Sequence, residues 1–168
     1  MTLTVYFDGS CEYNPQNGKQ NPGGLATYGW LIKNGTNNRL AYGYGEVGRG
    51  GAISNNVAEY EAFIKALEAI RDLELGNEEL IIYGDSQLII FQVNGHWSVK
   101  KPHLFELYRQ VTDILDELPG QKSIQWIPRE QNQEADDLSK LAYDIARKAG
   151  DKGAWGKRFK VEKKEVAG

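Results

Sequence analysis

Apolar and polar residues follow two rhythms along this chain. Up to about residue 46 the rhythm is that of strands. Leu3 to Phe7 is short and rich in Val, Tyr and Phe, Leu25 to Lys33 alternates loosely, and Arg39 to Glu46 carries Leu40, Tyr42 and Tyr44 at period two. Asp8-Gly9-Ser10 bounds the first of these strands as a turn. Asn34-Gly35-Thr36-Asn37-Asn38 reads as a hairpin turn, because Asn and Gly tolerate positive φ. The prolines and glycines between Asn14 and Gly24 predict a loop that cannot sustain a ladder.

Beyond a glycine-rich stretch, Gly43 to Gly51, the rhythm becomes helical. Ser54, Asn55 or Asn56 caps a helix in which Tyr60, Phe63, Ile64, Leu67 and Ile70 recur on one face. Leu80-Ile81-Ile82-Tyr83 is a continuous apolar run suited to a buried strand. A second helix starts at Asp85-Ser86 and runs to Asn94-Gly95, followed by a polar and aromatic loop, His96 to Lys101. Pro102 opens a third helix that ends near Pro119-Gly120, and Ser123 to Ile127 is the fifth strand. The last helix spans Asn132 to about Ala149, with Ala135, Leu138, Leu141, Ala142 and Ile145 inward. This order predicts an α/β fold: a mixed five-stranded sheet, three antiparallel strands followed by parallel ones joined through right-handed crossovers, flanked by helices.

Composition narrows the class. With 168 residues, 40% hydrophobic and 26% charged, the chain is a folded domain that needs no staples. The single cysteine, Cys11, excludes an internal disulfide framework and a cysteine-rich zinc site. No run approaches the roughly 18 apolar residues of a membrane span, and the first residues lack a basic leader, so a cytoplasmic location without membrane contact is expected. The net charge of −3 hides an asymmetry. From Arg147 onward eight Lys and Arg face three acids, a surplus of +5, whereas the preceding residues carry −8. The division is therefore a domain over residues 1–149 and a basic C-terminal tail over 150–168, which serves either phosphate contact or solubility.

Four carboxylates occupy positions that burial alone does not request. Asp8 ends the first strand, Glu59 lies near the start of the first long helix, Asp85 ends the fourth strand, and Asp136 lies one turn into the last helix beside Asp137. Each has a bland reading: a turn for Asp8, a macrodipole partner for Glu59, an N-cap for Asp85, solvated surface for Asp136. Together they read differently. Ligands of open sheets gather at the carboxyl ends of adjacent parallel strands, where Asp8 and Asp85 emerge side by side. Converging carboxylates repel unless a cation sits among them, and hard oxygen ligands suit Mg²⁺ or Mn²⁺. Two such ions roughly 4 Å apart are a known device for phosphodiester hydrolysis.

The stretches FDGSCEYNP, SNNVAEYEA, IIYGDSQLI and REQNQEADDLSKLA resemble, in order and spacing, the motif blocks of type 1 ribonuclease H. The match runs from residue 1 to about 149 and is more like archaeal and reverse-transcriptase-type members, because the basic protrusion of other members is reduced to His96-Trp97-Ser98-Val99-Lys100-Lys101. The resemblance implies an endonuclease that cuts the RNA strand of RNA–DNA hybrids and leaves 5′-phosphate and 3′-hydroxyl ends. It implies two ions, with Asp8 bridging both, Glu59 and Asp85 on one and Asp136 on the other. It also implies substrate contacts from Gly9, Ser10 and Cys11 beside the metals, amide contacts from Asn14, Asn55 and Gln87, and a DNA-phosphate pocket that includes Ser54. Trp97 either stacks on a deoxyribose or caps the core, and Lys100 and Lys101 are candidates to hold DNA phosphates. A histidine common in the loop before the last helix is absent, which leaves Arg129 or Glu130 for that role. Action on double-stranded RNA stays open, a single chain is expected to suffice, and the alternative is a non-catalytic nucleic-acid-binding module on the same fold.

Overall fold

The computed structural model describes residues 1–11, 13–14, 19–20, 24–49, 53–150 and 160–164, with the main chain alone at 13–14, 19–20, 49, 149–150 and 160–164. Its strands are β1 (Thr2–Cys11), β2 (Tyr13–Asn14), β3 (Lys19–Gln20), β4 (Leu25–Lys33), β5 (Arg39–Arg49), β6 (Glu79–Gly84), β7 (Lys122–Trp126) and β8 (Lys160–Lys164). The helices are α1 (Asn55–Asp72), α2 (Gln87–Val93), α3 (Pro102–Glu117) and α4 (Gln133–Gly150), with a short 3₁₀ turn at Arg129–Gln131. The main sheet runs β7-β6-β1-β4-β5-β8. β1, β4 and β5 are antiparallel neighbours, and β6 and β7 continue parallel to β1, which is the mixed five-stranded sheet expected from the pattern. β8 adds a sixth, antiparallel strand along β5, from Ala41 opposite Lys164 to Gly45 opposite Lys160.

Three local expectations change. Asp8-Gly9-Ser10 is strand rather than turn, because β4 keeps pairing with β1 through Asp8 opposite Gly29 and on to Cys11 opposite Ala26. Part of the stretch read as loop pairs after all, Tyr13 with Gln20 and Asn14 with Lys19. On α4 the buried stripe is Ala135, Leu138, Ser139, Ala142 and Ala146, while Leu141 and Ile145 remain 43% and 37% exposed. The packing explains the last difference. α4 lies so close to the sheet that a Cβ on Gly29 would stand 2.6 Å from both the Ala135 carbonyl oxygen and the Ser139 nitrogen. At that distance the stripe is made mostly of small residues with Leu138 beside Gly29, while Leu141 and Ile145 turn to the flank of the helix.

α1 packs on the opposite face with Leu3, Val5 and Phe7 of β1, Trp30 and Ile32 of β4, and Leu80 and Ile82 of β6 beneath it. Phe7 stacks on Phe63 with centroids 4.4 Å apart. Fully burying an aromatic or aliphatic side chain of this kind contributes about 1.5–3 kcal/mol, so this layer dominates the stability of the domain. β4, covered by helices on both faces, is buried at all nine positions. Among the described residues no helix is long and apolar enough to cross a membrane.

The approach of α1 depends on Gly9. A Cβ there would lie 2.2 Å from the Ala58 carbonyl oxygen and 2.7 Å from the Glu59 nitrogen, both main-chain atoms that cannot swing away. Gly9→Ala is therefore expected to push α1 outward and lower stability by about 2–3 kcal/mol. Urea denaturation measures it; an unchanged midpoint would show that α1 does not rest on this glycine.

Candidate active site

β1 and β6 pair in parallel only as far as Tyr6 opposite Tyr83. Beyond that point the strands part, and polar side chains fill the split. Asp8 comes from β1, and Asp85 directly follows β6, one residue before Ser86, whose hydroxyl rather than the Asp85 carboxylate caps α2. Glu59 enters from α1, which Ser54 caps by accepting a hydrogen bond from the Val57 N–H at 3.3 Å. One oxygen from each of Asp8, Glu59 and Asp85 lies within 4.8 Å of the other two. Asp136, in the first turn of α4, reaches Asp8 from the other face but stands outside that three-oxygen group.

The electrostatics follow from burial. Asp8 and Glu59 are 5% and 8% exposed. Burial, the neighbouring Asp85 charge and a hydrogen bond to Asp136 raise Asp8 from 3.8 to about 8. Burial and the charges of Asp8 and Asp85 push Glu59 well above the usual carboxylate range, although the Gly9 N–H pulls the other way. Asp136 moves down: burial opposes ionisation, but hydrogen bonds from Lys140 and from the Asp8 carboxyl outweigh it. Lys140 Nζ sits 2.9 Å from Asp136 Oδ2. The guanidinium of Arg129 also favours the ionised forms of Asp8 and Asp136.

The donor set fits a divalent cation. Three carboxylates from separate elements offer oxygen alone, which suits a hard ion. Oε2 of Glu59 is buried without a hydrogen-bond partner, an arrangement that is expensive unless a positive charge meets it.

The sequence reading missed the residues that hold this group in place. Asn132, 1% exposed, donates through Nδ2 to the Phe7 carbonyl oxygen at 2.9 Å and to Asp85 Oδ2 at 3.0 Å. Its Oδ1 is buried and unpartnered. Trp126 Nε1 donates to the Asp85 carbonyl oxygen at 3.1 Å. Lys140 could have been read from its i,i+4 spacing to Asp136. Asn132 looks in sequence like one more loop amide, and nothing local marks Trp126.

The remaining expected residues scatter in role. Ser10 turns its hydroxyl toward Thr27 and Ser139, at 3.3 and 3.2 Å, so its side chain is committed inward. Asn55 accepts from the Cys11 N–H at 3.0 Å and is itself exposed, tying β1 to the start of α1. Gln87 is exposed at the first position of α2, and Arg129 and Glu130 are exposed in the 3₁₀ turn. Trp97 is 46% exposed and rests edge-on against Phe91, 4.9 Å between centroids, while Lys100 and Lys101 are exposed in the same loop. The side chain of Asn14 lies outside the described residues.

A family model described as "Reverse transcriptase-like" matches residues 7–142. The chain is 36% identical to "Ribonuclease HI" of Halobacterium salinarum over 142 residues, which is 84% of this chain and 64% of that protein. It is 32% identical to "Bifunctional protein Rv2228c" of Mycobacterium tuberculosis over 87% of its length but only 36% of the relative's. It thus spans less than two thirds of either curated relative. A solved structure titled as LC11-RNase H1 in complex with an RNA/DNA hybrid, from an enzyme isolated from compost, superposes with a TM-score of 0.75 at 33% identity, covering 86% of this chain and 99% of that one.

The raised Asp8 has a consequence for stability. The folded state keeps a proton that the unfolded chain releases near 3.8, so stability falls as pH rises from about 4 to about 8. Asp8→Asn should therefore melt higher than the parent in chelator at about pH 8, with the gap closing near about pH 4. Excess Mg²⁺ should stabilise the parent and not the variant. Thermal melts across pH check this, and parallel pH profiles would refute it.

Proposed function

Because the chain belongs to the type 1 ribonuclease H family, within the reverse transcriptase-like group, we propose that it is an endonuclease that hydrolyses the RNA strand of RNA–DNA hybrids and leaves 5′-phosphate and 3′-hydroxyl ends. The observation that carries this reading is the convergence of Asp8, Glu59 and Asp85 within 4.8 Å beside Asp136, with a partnerless buried oxygen on Glu59. Asp8, Glu59 and Asp85 would hold one divalent ion, and Asp8 with Asp136 a second. When bound there, Mg²⁺ or Mn²⁺ supplies Lewis-acid stabilisation of the attacked phosphate and the departing oxygen.

The chain's own residues do the rest. Asn132 and Trp126 hold Asp85 at its side-chain and main-chain oxygens, so that its carboxylate stays aimed into the split. Asp8 would have to be ionised to act as a ligand, so a cation held there would bind more tightly as pH rises toward about 8. Lys140 neutralises Asp136 and limits the repulsion that Asp8 feels. Arg129, whose charge acts on Asp8 and Asp136, is the basic group of the loop that lacks a histidine, and it is better placed than Glu130 to approach an anionic substrate.

Substrate selection rests on groups that read sugar and backbone rather than sequence. A hybrid presents 2′-hydroxyls across a wide, shallow minor groove. The main chain of Gly9, Ser10 and Cys11 and the amides of Asn14, Asn55 and Gln87 suit that surface. The Ser54 hydroxyl that caps α1 doubles as a phosphate donor. Trp97 offers a sugar platform, and Lys100, Lys101 and the basic residues after Arg147 supply phosphate contacts.

Labelled RNA–DNA hybrid, double-stranded RNA and double-stranded DNA, incubated with Mg²⁺, Mn²⁺ or chelator, test the reading. Cleavage of the hybrid's RNA strand is expected with either metal and not with chelator. The double-stranded RNA arm decides whether the activity extends to that duplex. Asp8→Asn and Asp85→Asn should each lose at least about a thousandfold in kcat while still binding hybrid. Hybrid bound but left uncut by the parent protein would establish the non-catalytic module instead.

A further inference from the structure

The loop that carries Trp97, Lys100 and Lys101 forms no helix or strand, yet its main chain is tied down. The N–H groups of His96 and Trp97 both donate to the Phe91 carbonyl oxygen, at 2.8 and 3.1 Å. Asn94 Nδ2 donates to the Ile124 carbonyl oxygen of β7 at 2.9 Å. These bonds anchor the start of the loop. Its middle is held by one buried side chain: Gln92, 4% exposed, donates through Nε2 to the Ser98 carbonyl oxygen at 3.3 Å. The other end of the same amide accepts from the Tyr60 hydroxyl at 2.6 Å, and Tyr60 is fully buried in α1.

Tyr60 is the immediate neighbour of Glu59 on that helix. Ser98 is the immediate neighbour of Trp97 and lies two residues before Lys100. Two hydrogen bonds therefore join the helix that brings a carboxylate to the metal-binding group with the loop that presents an aromatic ring and two cations to solvent. Neither Tyr60 nor Gln92 supplies an atom to the three-oxygen group. A polar relay across an otherwise apolar α1–α2 contact fixes direction, which packing alone does not.

We infer that Gln92 and Tyr60 are positioning residues for substrate: together they set the distance and orientation between the Trp97–Lys101 loop and the Asp8–Glu59–Asp85 group, so that the duplex meets both at once. The inference rests on the hybrid-cleaving reading above. It assigns the relay a share in binding and none in the chemical step. Losing it frees the loop, whose ordering must then be supplied each time a duplex binds.

Steady-state cleavage of labelled hybrid by the full-length chain in Mg²⁺ provides the test, with the parent, Tyr60→Phe, Gln92→Met and the double variant compared. Each single variant strands a buried polar partner and should lower the melting temperature. The double variant removes both members of the inner bond and should recover much of that loss while the clamp on Ser98 stays missing. Its KM for hybrid should rise about tenfold with kcat within about twofold of the parent. A double variant with the parent's KM overturns the inference, and so does a fall in kcat with KM unchanged. If the parent itself neither binds nor cuts the hybrid, the functional reading fails first and takes this inference with it. A parent that cuts while the double variant keeps its KM removes the clamp alone.

Discussion

Repulsion among buried carboxylates is the constraint around which this molecule is arranged. Asp8, Glu59 and Asp85 are held within 4.8 Å, and water is largely excluded from Asp8 and Glu59. Left alone, such a group would hold its protons or push its elements apart. It does the first: Asp8 titrates near 8 and Glu59 higher than usual. It is kept from the second by the apolar layer of α1 against β1, β4 and β6, whose burial outweighs the strain of gathering like charges. Stability is given up locally to keep three carboxylates assembled in a geometry that could hold a metal ion.

Two glycines make that gathering geometrically feasible. Gly9 lets the main chain of α1 touch β1 on one face, and Gly29 lets α4 touch β4 on the other. Gly29 is the ladder partner of Asp8, so α4 delivers Asp136 beside the strand residue it must meet. The small side chains of Ala135, Ser139 and Ala142 complete the fit. The gathering of the acids thus depends on the absence of side chains a few residues away, and bulk at either glycine would separate them without touching any of them.

Around this centre the polar side chains divide into holders and presenters. Asn132, Trp126 and Ser10 spend their hydrogen bonds inside the protein, on Asp85 and on the Thr27–Ser139 pair, and Ser54 accepts one at the start of α1. Gln87, Trp97, Lys100, Lys101 and Arg129 face solvent, and Asn55 does both. The result is a rigid hydrogen-bonded layer beneath and a surface of exposed donors and cations above it.

Sequence alone determined the order of the five central strands and four helices and the mixed sheet they build, and it singled out the three acids that gather at the split. Periodicity and capping are local properties, and the spacing of the motif blocks is written in the chain. Tertiary structure decided what depends on partners distant in sequence. Asp8 proved to lie within a strand because β4 extends the ladder past it. Leu141 and Ile145 turned outward because a glycine on another element draws α4 too close for large side chains. Asn132 became the support of Asp85 only once two segments 47 residues apart had met. Which acids carry their protons could not be read from residue types either, since a carboxylate's pKa is set by burial and neighbouring charge, and both arise only when the chain has folded.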